Sequence, residues 1–410
     1  MPRVYLDHAA TTPMLPQAID AVVEQMKIGG NPSSLHSAGR SARATVEYAR
    51  ERIARVAGCD AAEIIFTSGG TEADNLAIKG LYWKRREANP HATRIVVSGI
   101  EHHAVGDAVE WLQAHEGAEV SWVAPDASGV VSAEAVRQAV GESPETVALV
   151  TVMWANNEVG TVQPVAEIAA VAAEFGIPFH TDAVQAFGTL PVNFKESGAT
   201  AMAISAHKIG GPMGIGALIA TRSAQLMPVL HGGGQERSVR SGTIDAASIA
   251  GFGAAAAEAG QNLLAEASRQ AELRDRLIEG VLAAVPEAQL RGAAPESPQD
   301  RAVGAFSRLP GNAHFTFPGC EGDSLLFLLD MAGVESSTGS ACNAGVPRPS
   351  HVLLAMGLSE DEARGAQRFT LGHTSTEDDV TALLTALPGA WAQAKKAGMA
   401  GHAPDAARWN

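Results

Sequence analysis

Short apolar segments alternate with helical segments through the first half of the chain, and this alternation limits the fold more than any other feature of the sequence. The apolar and β-branched runs lie at residues 63–67, 94–98, 120–123, 147–153, 177–181 and 201–204. Segments with apolar residues three and four positions apart, the spacing of an amphipathic helix, separate several of them. The alternation predicts right-handed crossovers and a mostly parallel sheet covered by helices, which is an α/β fold class.

The chain has 410 residues, which is too long for one compact core, so we predict two domains. The predicted division is a large domain at 14–257, a smaller α+β domain at 1–13 and 258–396, and a disordered tail at 397–410. One long Ala-rich helix, from Ala246 to about Val285, is expected to connect the domains. Residues 291–314 are expected to be mostly loop because their periodicity is weak.

Composition and charge argue against several kinds of partner. The 30 Lys and Arg residues against 45 Asp and Glu residues give a formal net charge of −15, which disfavours nucleic-acid binding. No run of about 18 apolar residues and no apolar N-terminal signal segment is present, so we expect no membrane association and a cytoplasmic protein. Cys59, Cys320 and Cys342 form no Cys-x-x-Cys pair, so neither a disulfide framework nor a metal site is expected.

Lys208 follows the apolar run 201–204 and directly precedes a turn rich in glycine and proline. Burial disfavours the ammonium form of a lysine, and a neutral amine is the form that Schiff-base chemistry requires. Lys208 is therefore a candidate Schiff-base lysine. The alternative is that its aliphatic stem carries the ammonium group to the surface.

A glycine-containing turn joins the apolar run 63–67 to a predicted helix at 73–83. A strand, a glycine turn and a helix place backbone N–H groups and the helix dipole where they can hold an anion. Gly70 and Thr71 are the candidate contacts. Thr71 also suits a plain helix cap, and the two interpretations are compatible.

Several polar residues follow predicted strands. They are His102, Asn157, Asp182, Gln185, Ser205, His207 and Lys208. Because ligands of parallel sheets bind at the carboxyl ends of the strands, we expect these side chains to converge on one site.

This set of residues matches the chemical needs of pyridoxal 5′-phosphate. Lys208 would take the aldehyde. Donors for the phosphate would come from Gly70, Thr71, Ser205 and His207. Asp182 would keep the pyridine nitrogen protonated, and His102 would stack on the ring or move a proton.

Ordered motifs extend the pattern over nearly the whole chain. They read Tyr-Leu-Asp-His-Ala-Ala-Thr-Thr-Pro, Asn-Pro-Ser-Ser-x-His, Thr-Ser-Gly-Gly-Thr-Glu-Ala-Asp-Asn, Asn-Asn-Glu-x-Gly, Asp-Ala-x-Gln, Ser-Ala-His-Lys-Ile-x-Gly-Pro, Gly-Gly-Gly-Gln-Glu and Arg-Ser-Gly-Thr. From about residue 4 to 385 the chain resembles the group I branch of the cysteine desulfurases, class V members of the fold-type I pyridoxal-phosphate enzymes. The resemblance implies a large domain with a mostly parallel seven-stranded sheet covered by helices, and a smaller α+β domain.

The resemblance also implies roles for individual residues. Lys208 would be the Schiff-base lysine, Asp182 the partner of the pyridinium, and His102 the stacking and proton-transferring residue. Contacts to the ring substituents would come from Asn157 and Gln185, contacts to the phosphate from Thr71, Ser205 and His207, and contacts to L-cysteine from Arg368 and Asn157. Thr243 would reach the phosphate of the other subunit, which implies a homodimer.

Cys342 acquires a function from the same resemblance. The family uses a loop cysteine to take sulfur from bound L-cysteine, which leaves L-alanine and a persulfide. The segment 334–346 is small and polar, as such a loop requires, and we expect it to be mobile. The persulfide sulfur would pass to acceptor proteins for iron–sulfur cluster assembly or tRNA thiolation. Cys59 and Cys320 are expected to be structural, and a small core thiol is the alternative for Cys342.

Other functions stay open at this stage. A selenocysteine lyase could use the same loop, and sulfur could be donated to a dedicated biosynthetic pathway. Another class V activity, such as an aminotransferase, needs no thiol like that of Cys342. A non-catalytic sulfur-carrier or scaffold protein would not need Lys208, Asp182 and His102 together. A dinucleotide-binding oxidoreductase would carry G-x-G-x-x-G after its first strand, and this chain does not.

Overall fold

The computed structural model describes residues 3–339 and 349–401. Its strands are β1 (Val4–Tyr5), β2 (Ile64–Thr67), β3 (Arg94–Ser98), β4 (Glu119–Val123), β5 (Val147–Thr151), β6 (Phe179–Asp182), β7 (Ala201–Ser205), β8 (Gly216–Ala220), β9 (Gln289–Arg291), β10 (Asn312–Thr316), β11 (Val334–Glu335) and β12 (Ala366–Thr370). Its helices are α1 (Pro16–Ile28), α2 (Ser37–Ala57), α3 (Gly70–Ala88), α4 (His103–Glu116), α5 (Ala133–Val140), α6 (Val165–Glu174), α7 (Phe194–Ser197), α8 (Ala246–Gln261), α9 (Leu263–Ala284), α10 (Pro298–Ala302), α11 (Gly322–Met331), α12 (His351–Ala355), α13 (Glu360–Arg364) and α14 (Glu377–Gly401).

The central sheet contains seven strands in the order β2-β8-β7-β6-β5-β3-β4. β8 runs antiparallel to both of its neighbours, and the other pairs are parallel, so the predicted mostly parallel sheet is confirmed. Successive residues of a strand point to opposite faces. In β3, Val96 joins one apolar cluster, whereas Ile95 and Val97 join the other. Because both faces are buried, the strands have continuous apolar runs rather than alternating ones.

Helices cover the two faces of this sheet. On one face, α3 and α4 contribute Leu76 and Val109 to the apolar cluster. On the other, α2, α6 and α8 contribute Ile53, Ile168 and Phe252. This layering leaves the carboxyl ends of the parallel strands free to carry a site.

A smaller antiparallel sheet, in the order β12-β10-β9, lies in the second half of the chain. Phe315 and Phe369 form a separate apolar cluster with Leu325 of α11 and Leu383 of α14. β1 pairs in parallel with β11, so the start of the chain joins this smaller unit. None of the helices in the described ranges is long and apolar enough to cross a membrane.

The single long helix predicted from Ala246 to about Val285 is wrong. The chain forms α8 and α9, which are separated at Asn262, where the backbone leaves the helical region with φ −124° and ψ 23°. Asn has a low helix propensity because its side chain competes for backbone hydrogen bonds. The predicted domain boundary at 257/258 falls in the last turns of α8, and the division into domains stays a prediction.

Two predicted irregular segments contain regular structure. Residues 291–314 include the end of β9, all of α10 and the start of β10. α10 begins because Ser297 accepts a hydrogen bond from the N–H of Asp300 and Pro298 occupies its first turn. At the other end, residues 397–401 continue α14 instead of starting a disordered tail, and the sequence has no further proline between Pro388, inside the helix, and Pro404. Residues 402–410 lie outside the described residues.

Candidate active site

A cavity of about 380 Å³ lies at the carboxyl ends of the parallel strands. All the predicted cofactor contacts except Thr243 line it: Gly70, Thr71, His102, Asn157, Asp182, Gln185, Ser205, His207 and Lys208. Arg368, the predicted substrate contact, lines it as well. The structure thus brings into one cavity residues that are separated by up to about 300 positions in the chain.

Lys208 lies in a short 3₁₀ turn, Ala206–Ile209, that directly follows β7. Its Nζ donates hydrogen bonds to the carbonyl oxygens of Ala9 and, at 2.9 Å, Ala10. Burial and the nearby Arg368 guanidinium lower the pKa of the amine from 10.5 to about 8, although Asp182 opposes the shift. About a tenth of this amine is therefore neutral at pH 7, far more than for an ordinary lysine, and the neutral amine is the form that attacks an aldehyde.

Asp182 ends β6, and its carboxylate accepts a hydrogen bond of 2.8 Å from the N–H of Val184. Burial raises its pKa, whereas His102 and Lys208 act in the opposite direction. A cation placed beside this carboxylate would replace the lost solvation and favour the ionised form. The site is therefore suited to a protonated ring nitrogen.

His102 caps α4 by accepting a hydrogen bond at Nδ1 from the N–H of Ala104, at 3.1 Å. An imidazole that accepts at Nδ1 carries its proton on Nε2 in the neutral form. The surrounding protein lowers the pKa of His102 through burial, although Asp182 opposes this. The ring thus faces the cavity as a neutral imidazole.

The anion end of the cavity is built on the start of α3. Gly69 precedes the helix with φ 155°, and no side chain caps the first N–H groups. A Cβ at Gly70 would lie 2.7 Å from Cγ2 of Val184, so only glycine fits. Thr71, Ser205 and His207 surround this end with further donors. The sequence predicted that this helix begins at Ala73, but it begins at Gly70. The anion-binding turn is therefore the first turn of the helix itself.

The residues around the cavity match three functional groups of pyridoxal 5′-phosphate. The desolvated amine of Lys208 suits the aldehyde, the buried carboxylate of Asp182 suits the pyridine nitrogen, and the uncapped start of α3 suits the phosphate. Gln185 lies beside them, where its Nε2 donates to the carbonyl of Ala9 at 3.0 Å.

Arg368 lines the same cavity as Lys208 and Asp182. It belongs to β12 and is 4% exposed. Its Nη1 donates to the carbonyl of Asn157 at 2.7 Å, and its Nη2 donates to Oδ1 of Asp7 at 2.8 Å. A planar guanidinium held in this way is the group that best recognises a carboxylate.

A buried polar layer supports the floor of the cavity. Asp74 is 1% exposed, and burial together with Asp182 and Glu101 raises its pKa well above the ordinary value. Its Oδ1 lies 3.4 Å from Nε2 of His180, but the alignment is too poor for a hydrogen bond. Burial lowers the pKa of His180 to about 3, so this imidazole is neutral and Asp74 has no cationic partner there.

Several residues that line the cavity were not identified from the sequence. His103 and His351 have ring centroids 5.2 Å apart, and Nε2 of His351 lies 2.9 Å from the carbonyl oxygen of Glu101. Ser337 and Gly339 also line the cavity, at the end of the described range before residue 340. Asp7 belongs to the motif Tyr-Leu-Asp-His, but the sequence does not show what its carboxylate contacts. The structure shows that it accepts a hydrogen bond from Arg368.

Among the predicted site residues that the structure describes, Thr243 alone does not line this cavity. Thr243 is exposed and lies on the glycine-containing loop after Glu236, Arg237 and Ser238, which adopt positive φ values of 43°, 60° and 61°. Glu236 is buried and pairs with Arg50 at 2.8 Å, which anchors the loop on α2. Cys342 lies outside the described residues.

A second cavity of about 240 Å³ adjoins the first behind Ala9 and Lys208. Leu15, Ile209 and Leu263 supply apolar lining, and His8 and His373 supply polar groups. Burial lowers the pKa of His8 to about 4, so it contributes no cation. Apart from Gln185 and Lys208, which both cavities share, no predicted cofactor or substrate contact lines it, so we assign the chemistry to the larger cavity.

Comparison with known proteins identifies the same architecture. The family model described as aminotransferase class-V matches residues 4–383. An IscS-like cysteine desulfurase of Mycobacterium tuberculosis is 56% identical over 396 residues, which cover 97% of this chain and 98% of that protein. A cysteine desulfurase IscS of Clostridium botulinum is 41% identical over 387 residues and 94% of each chain.

Solved structures agree with these relatives. A NifS-like protein superposes with a TM-score of 0.84 at 32% identity, over 95% of this chain and 100% of that one. The structure described as SspA in complex with cysteine superposes with a TM-score of 0.74 at 35% identity, over 90% of this chain and 98% of that one. Because the matches cover nearly the whole chain, the likeness includes both the seven-stranded and the three-stranded sheet.

Proposed function

Because the chain belongs to the class V aminotransferase family and is an L-cysteine desulfurase that depends on pyridoxal 5′-phosphate, we propose that the 380 Å³ cavity is its active site and that Cys342 receives the sulfur. One observation carries the assignment of the site. The amine of Lys208, whose pKa burial lowers to about 8, shares a single cavity with the carboxylate of Asp182 and the guanidinium of Arg368.

The proposed cofactor contacts follow from these positions. Lys208 holds the aldehyde carbon, and Asp182 holds the protonated pyridine nitrogen. The N–H groups at Gly70, with the side chains of Thr71, Ser205 and His207, hold the phosphate. Asn157 and Gln185 contact the ring substituents. Bound in this way, pyridoxal phosphate withdraws electrons from the Cα of an amino acid attached to it.

His102 and Lys208 are the groups that move protons in this proposal. The His102 ring is neutral because burial lowers its pKa, and it lines the cavity. The Lys208 amine exchanges protons close to neutral pH because its pKa is about 8. A general acid–base group works best when its pKa lies near the working pH.

Arg368 and Asn157 bind L-cysteine in the same cavity. Each terminal nitrogen of the Arg368 guanidinium uses one hydrogen for a protein contact and keeps a second one. These remaining hydrogens suit the α-carboxylate of the substrate. The amino group of L-cysteine is then directed towards Lys208 and its thiol into the open part of the cavity.

The sulfur transfer itself needs a thiolate. In the proposed step the Cys342 thiolate attacks the sulfur of the substrate, and an S–S bond forms while the C–S bond breaks. The electron pair of the broken bond stays with the amino-acid carbon, which takes up a proton and leaves as L-alanine. The persulfide on Cys342 then passes its terminal sulfur to an acceptor protein, either an iron–sulfur scaffold or a tRNA-thiolation enzyme.

A homodimer completes the proposed site. Thr243 is exposed on an anchored loop, which supports its donation to the phosphate site of a second copy. Exposed apolar side chains of α1, Ile19, Val23 and Met26, supply a surface that such a dimer would bury.

The experiment that tests the proposal measures sulfide and L-alanine released from L-cysteine with a reductant present. We expect equal release of both by the wild type, no persulfide with Cys342→Ser despite normal cofactor content, and no attached cofactor with Lys208→Ala. Cys59→Ser is the matched control, since burial raises the pKa of this thiol to about 12 and it should not react. Sulfide release by Cys342→Ser at the wild-type rate would remove Cys342 from the mechanism.

Other substrates test whether the enzyme has further activities. Turnover of L-selenocysteine by the wild type would show that the enzyme also acts as a selenocysteine lyase. Amino-group transfer to keto acids without sulfide release from L-cysteine would contradict the proposal.

A further inference from the structure

Asp7 makes the sole ion pair with Arg368 found among the residues that the structure describes. Its Oδ1 accepts from Nη2 at 2.8 Å, and the two side chains are 22% and 5% exposed. Asp7 does not line the cavity, so its contact with the substrate site is made through Arg368, and its charge also raises the pKa of Lys208. We propose that Asp7 is a positioning residue that makes the site selective for amino acids with an α-carboxylate, by fixing the guanidinium of Arg368. The inference rests on the proposed binding of the substrate carboxylate by Arg368.

The guanidinium of Arg368 makes protein contacts through its two terminal nitrogens and has further N–H donors left over. Nη1 is held by the carbonyl of Asn157 and Nη2 by Asp7, whereas Nε is buried with no partner in the described part of the chain. A cation buried in this way costs free energy unless an anion compensates it. With Asp7 in place, Arg368 therefore keeps one orientation and presents its uncommitted donors to an incoming carboxylate.

The backbone around Asp7 is itself fixed against the strand that carries Arg368. The N–H of Thr370 in β12 donates to the carbonyl of Leu6 at 2.7 Å, and the N–H of Ala9 donates to the hydroxyl of Thr370 at 2.9 Å. The Tyr5 hydroxyl also contacts the carbonyl oxygens of Asp7, at 3.1 Å, and Thr11, at 2.8 Å. The carboxylate is thus built on a rigid turn rather than on a free N-terminal arm.

This turn continues into the lysine site. The carbonyl oxygens of Ala9 and Ala10 accept from Lys208, and Ala9 also accepts from Gln185. One short segment therefore sets the distance between the group that holds the substrate carboxylate and the group that receives its amine. A change in that distance would weaken the binding of amino acids, which have both an amine and a carboxylate, and would not weaken the binding of simple amines.

The test compares L-cysteine with cysteamine, which has the same amine and thiol but no carboxylate. We expect Asp7→Asn to raise KM for L-cysteine by about 10- to 100-fold, the range for losing one charge-assisted hydrogen bond, while kcat changes less. The inhibition constant of cysteamine against L-cysteine should stay at the wild-type value. Asp7→Glu, which restores the charge, should recover part of the loss. Glu335→Gln is the matched control, because it removes an exposed pair with Arg3 from the neighbouring strand.

Two further variants keep the result decisive. If Asp7→Asn does not fold, Tyr5→Phe loosens the same turn without a change in charge and should raise KM for L-cysteine by a few fold, again without an effect on cysteamine. Arg368→Gln tests the underlying assignment. If Arg368→Gln still distinguishes L-cysteine from cysteamine as the wild type does, the proposed role of Arg368 is wrong. If Arg368→Gln no longer distinguishes L-cysteine from cysteamine but Asp7→Asn still does, the inference about Asp7 is wrong. It is also wrong if KM for L-cysteine and the inhibition constant of cysteamine rise equally in the Asp7 and Tyr5 variants.

Discussion

The amine of Lys208 donates a hydrogen bond of 2.9 Å to the carbonyl oxygen of Ala10, so the N-terminal turn and the 3₁₀ turn after β7 meet at the reactive group. Burial and the nearby Arg368 lower the pKa of this amine to about 8, although Asp182 and Asp7 act in the opposite direction.

The first prediction concerns the rate at which the apo-protein takes up pyridoxal phosphate. Because the neutral amine reacts, the rate should fall about tenfold per pH unit below pH 8 and level off above it. Stopped-flow absorbance at a series of pH values measures the midpoint.

Two variants move this midpoint in opposite directions. Asp182 raises the pKa of Lys208, so Asp182→Asn should shift the midpoint lower, whereas Arg368 lowers it, so Arg368→Gln should shift it higher. A midpoint near 10.5 in the wild type, or shifts of the same sign in both variants, would contradict the assignment.

Sequence reasoning found the part of the site that follows a local rule. Asp182, Ser205 and Lys208 stand at or just after strand ends, and ligands of parallel sheets bind there, so their convergence was predictable from strand positions alone. Asp7 and His351 follow no such rule. Asp7 meets Arg368 across 361 positions, because β12 returns beside the start of the chain. No periodicity in the sequence records that return.

The fold shows the same limit. The alternation of apolar runs and helical segments predicted the sheet because it depends on burial of both faces. The break between α8 and α9 was missed because Asn262 and its neighbours weaken a helix only slightly, and the separate apolar clusters that receive Phe252 and Leu277 decide where it ends.

A second prediction concerns the pH dependence of stability. Glu101 is buried, its Oε1 accepts from Ser98 and from the N–H of Met153, and its Oε2 is buried without a partner among the described residues. Burial raises its pKa from 4.5 to about 8. The folded protein therefore binds a proton that the unfolded chain releases, and the resulting stability is fully present below pH 4.5 and is lost as the pH rises through 8.

Glu101→Gln should remove this contribution, because glutamine keeps the acceptor oxygen and does not ionise. The free energy of unfolding of the wild type should fall relative to the variant by about 1.4 kcal/mol per pH unit between the two pKa values. Denaturant unfolding of the apo-proteins between pH 5 and 9 measures the difference. A difference that stays constant over this range would show that Glu101 is ionised throughout.

A third prediction concerns the residue before the segment that carries Cys342. Gly339 has φ 89°, and a Cβ there would lie 3.2 Å from Nε2 of the buried His314. Gly339→Ala should displace the chain at this point and slow persulfide formation by about 10- to 100-fold, because small misplacements of a reacting group have effects of this size. Cofactor content and KM for L-cysteine should not change.

The chain supplies a matched control for this substitution. Gly333 has nearly the same φ, 88°, but a Cβ there meets nothing within 4 Å. Gly333→Ala should have the same backbone cost, about 1 kcal/mol, without an effect on persulfide formation. His314→Ala combined with Gly339→Ala should restore the rate by opening space. Equal slowing by both alanine substitutions would show that backbone strain, and not the His314 contact, is responsible. Alkylation and mass spectrometry after a single turnover measure the persulfide.

The last prediction tests whether Thr243 acts in its own subunit or in a second one. Thr243 is exposed and absent from the cavity that contains Lys208, although the buried pair of Arg50 and Glu236 fixes the start of its loop. If Thr243 completes the site of a partner, a heterodimer of a Lys208→Ala chain and a Thr243→Ala chain contains one intact site and should have about half of the wild-type activity. A heterodimer of a wild-type chain and a chain with both substitutions contains no intact site and only one site that keeps Lys208, so it should have about half of the residual activity of the Thr243→Ala homodimer. If Thr243 acts within its own subunit, the expectations are reversed: the second heterodimer has about half of the wild-type activity and the first has only residual activity. Co-expression with two affinity tags isolates each heterodimer, so sulfide release from these two samples decides between the arrangements.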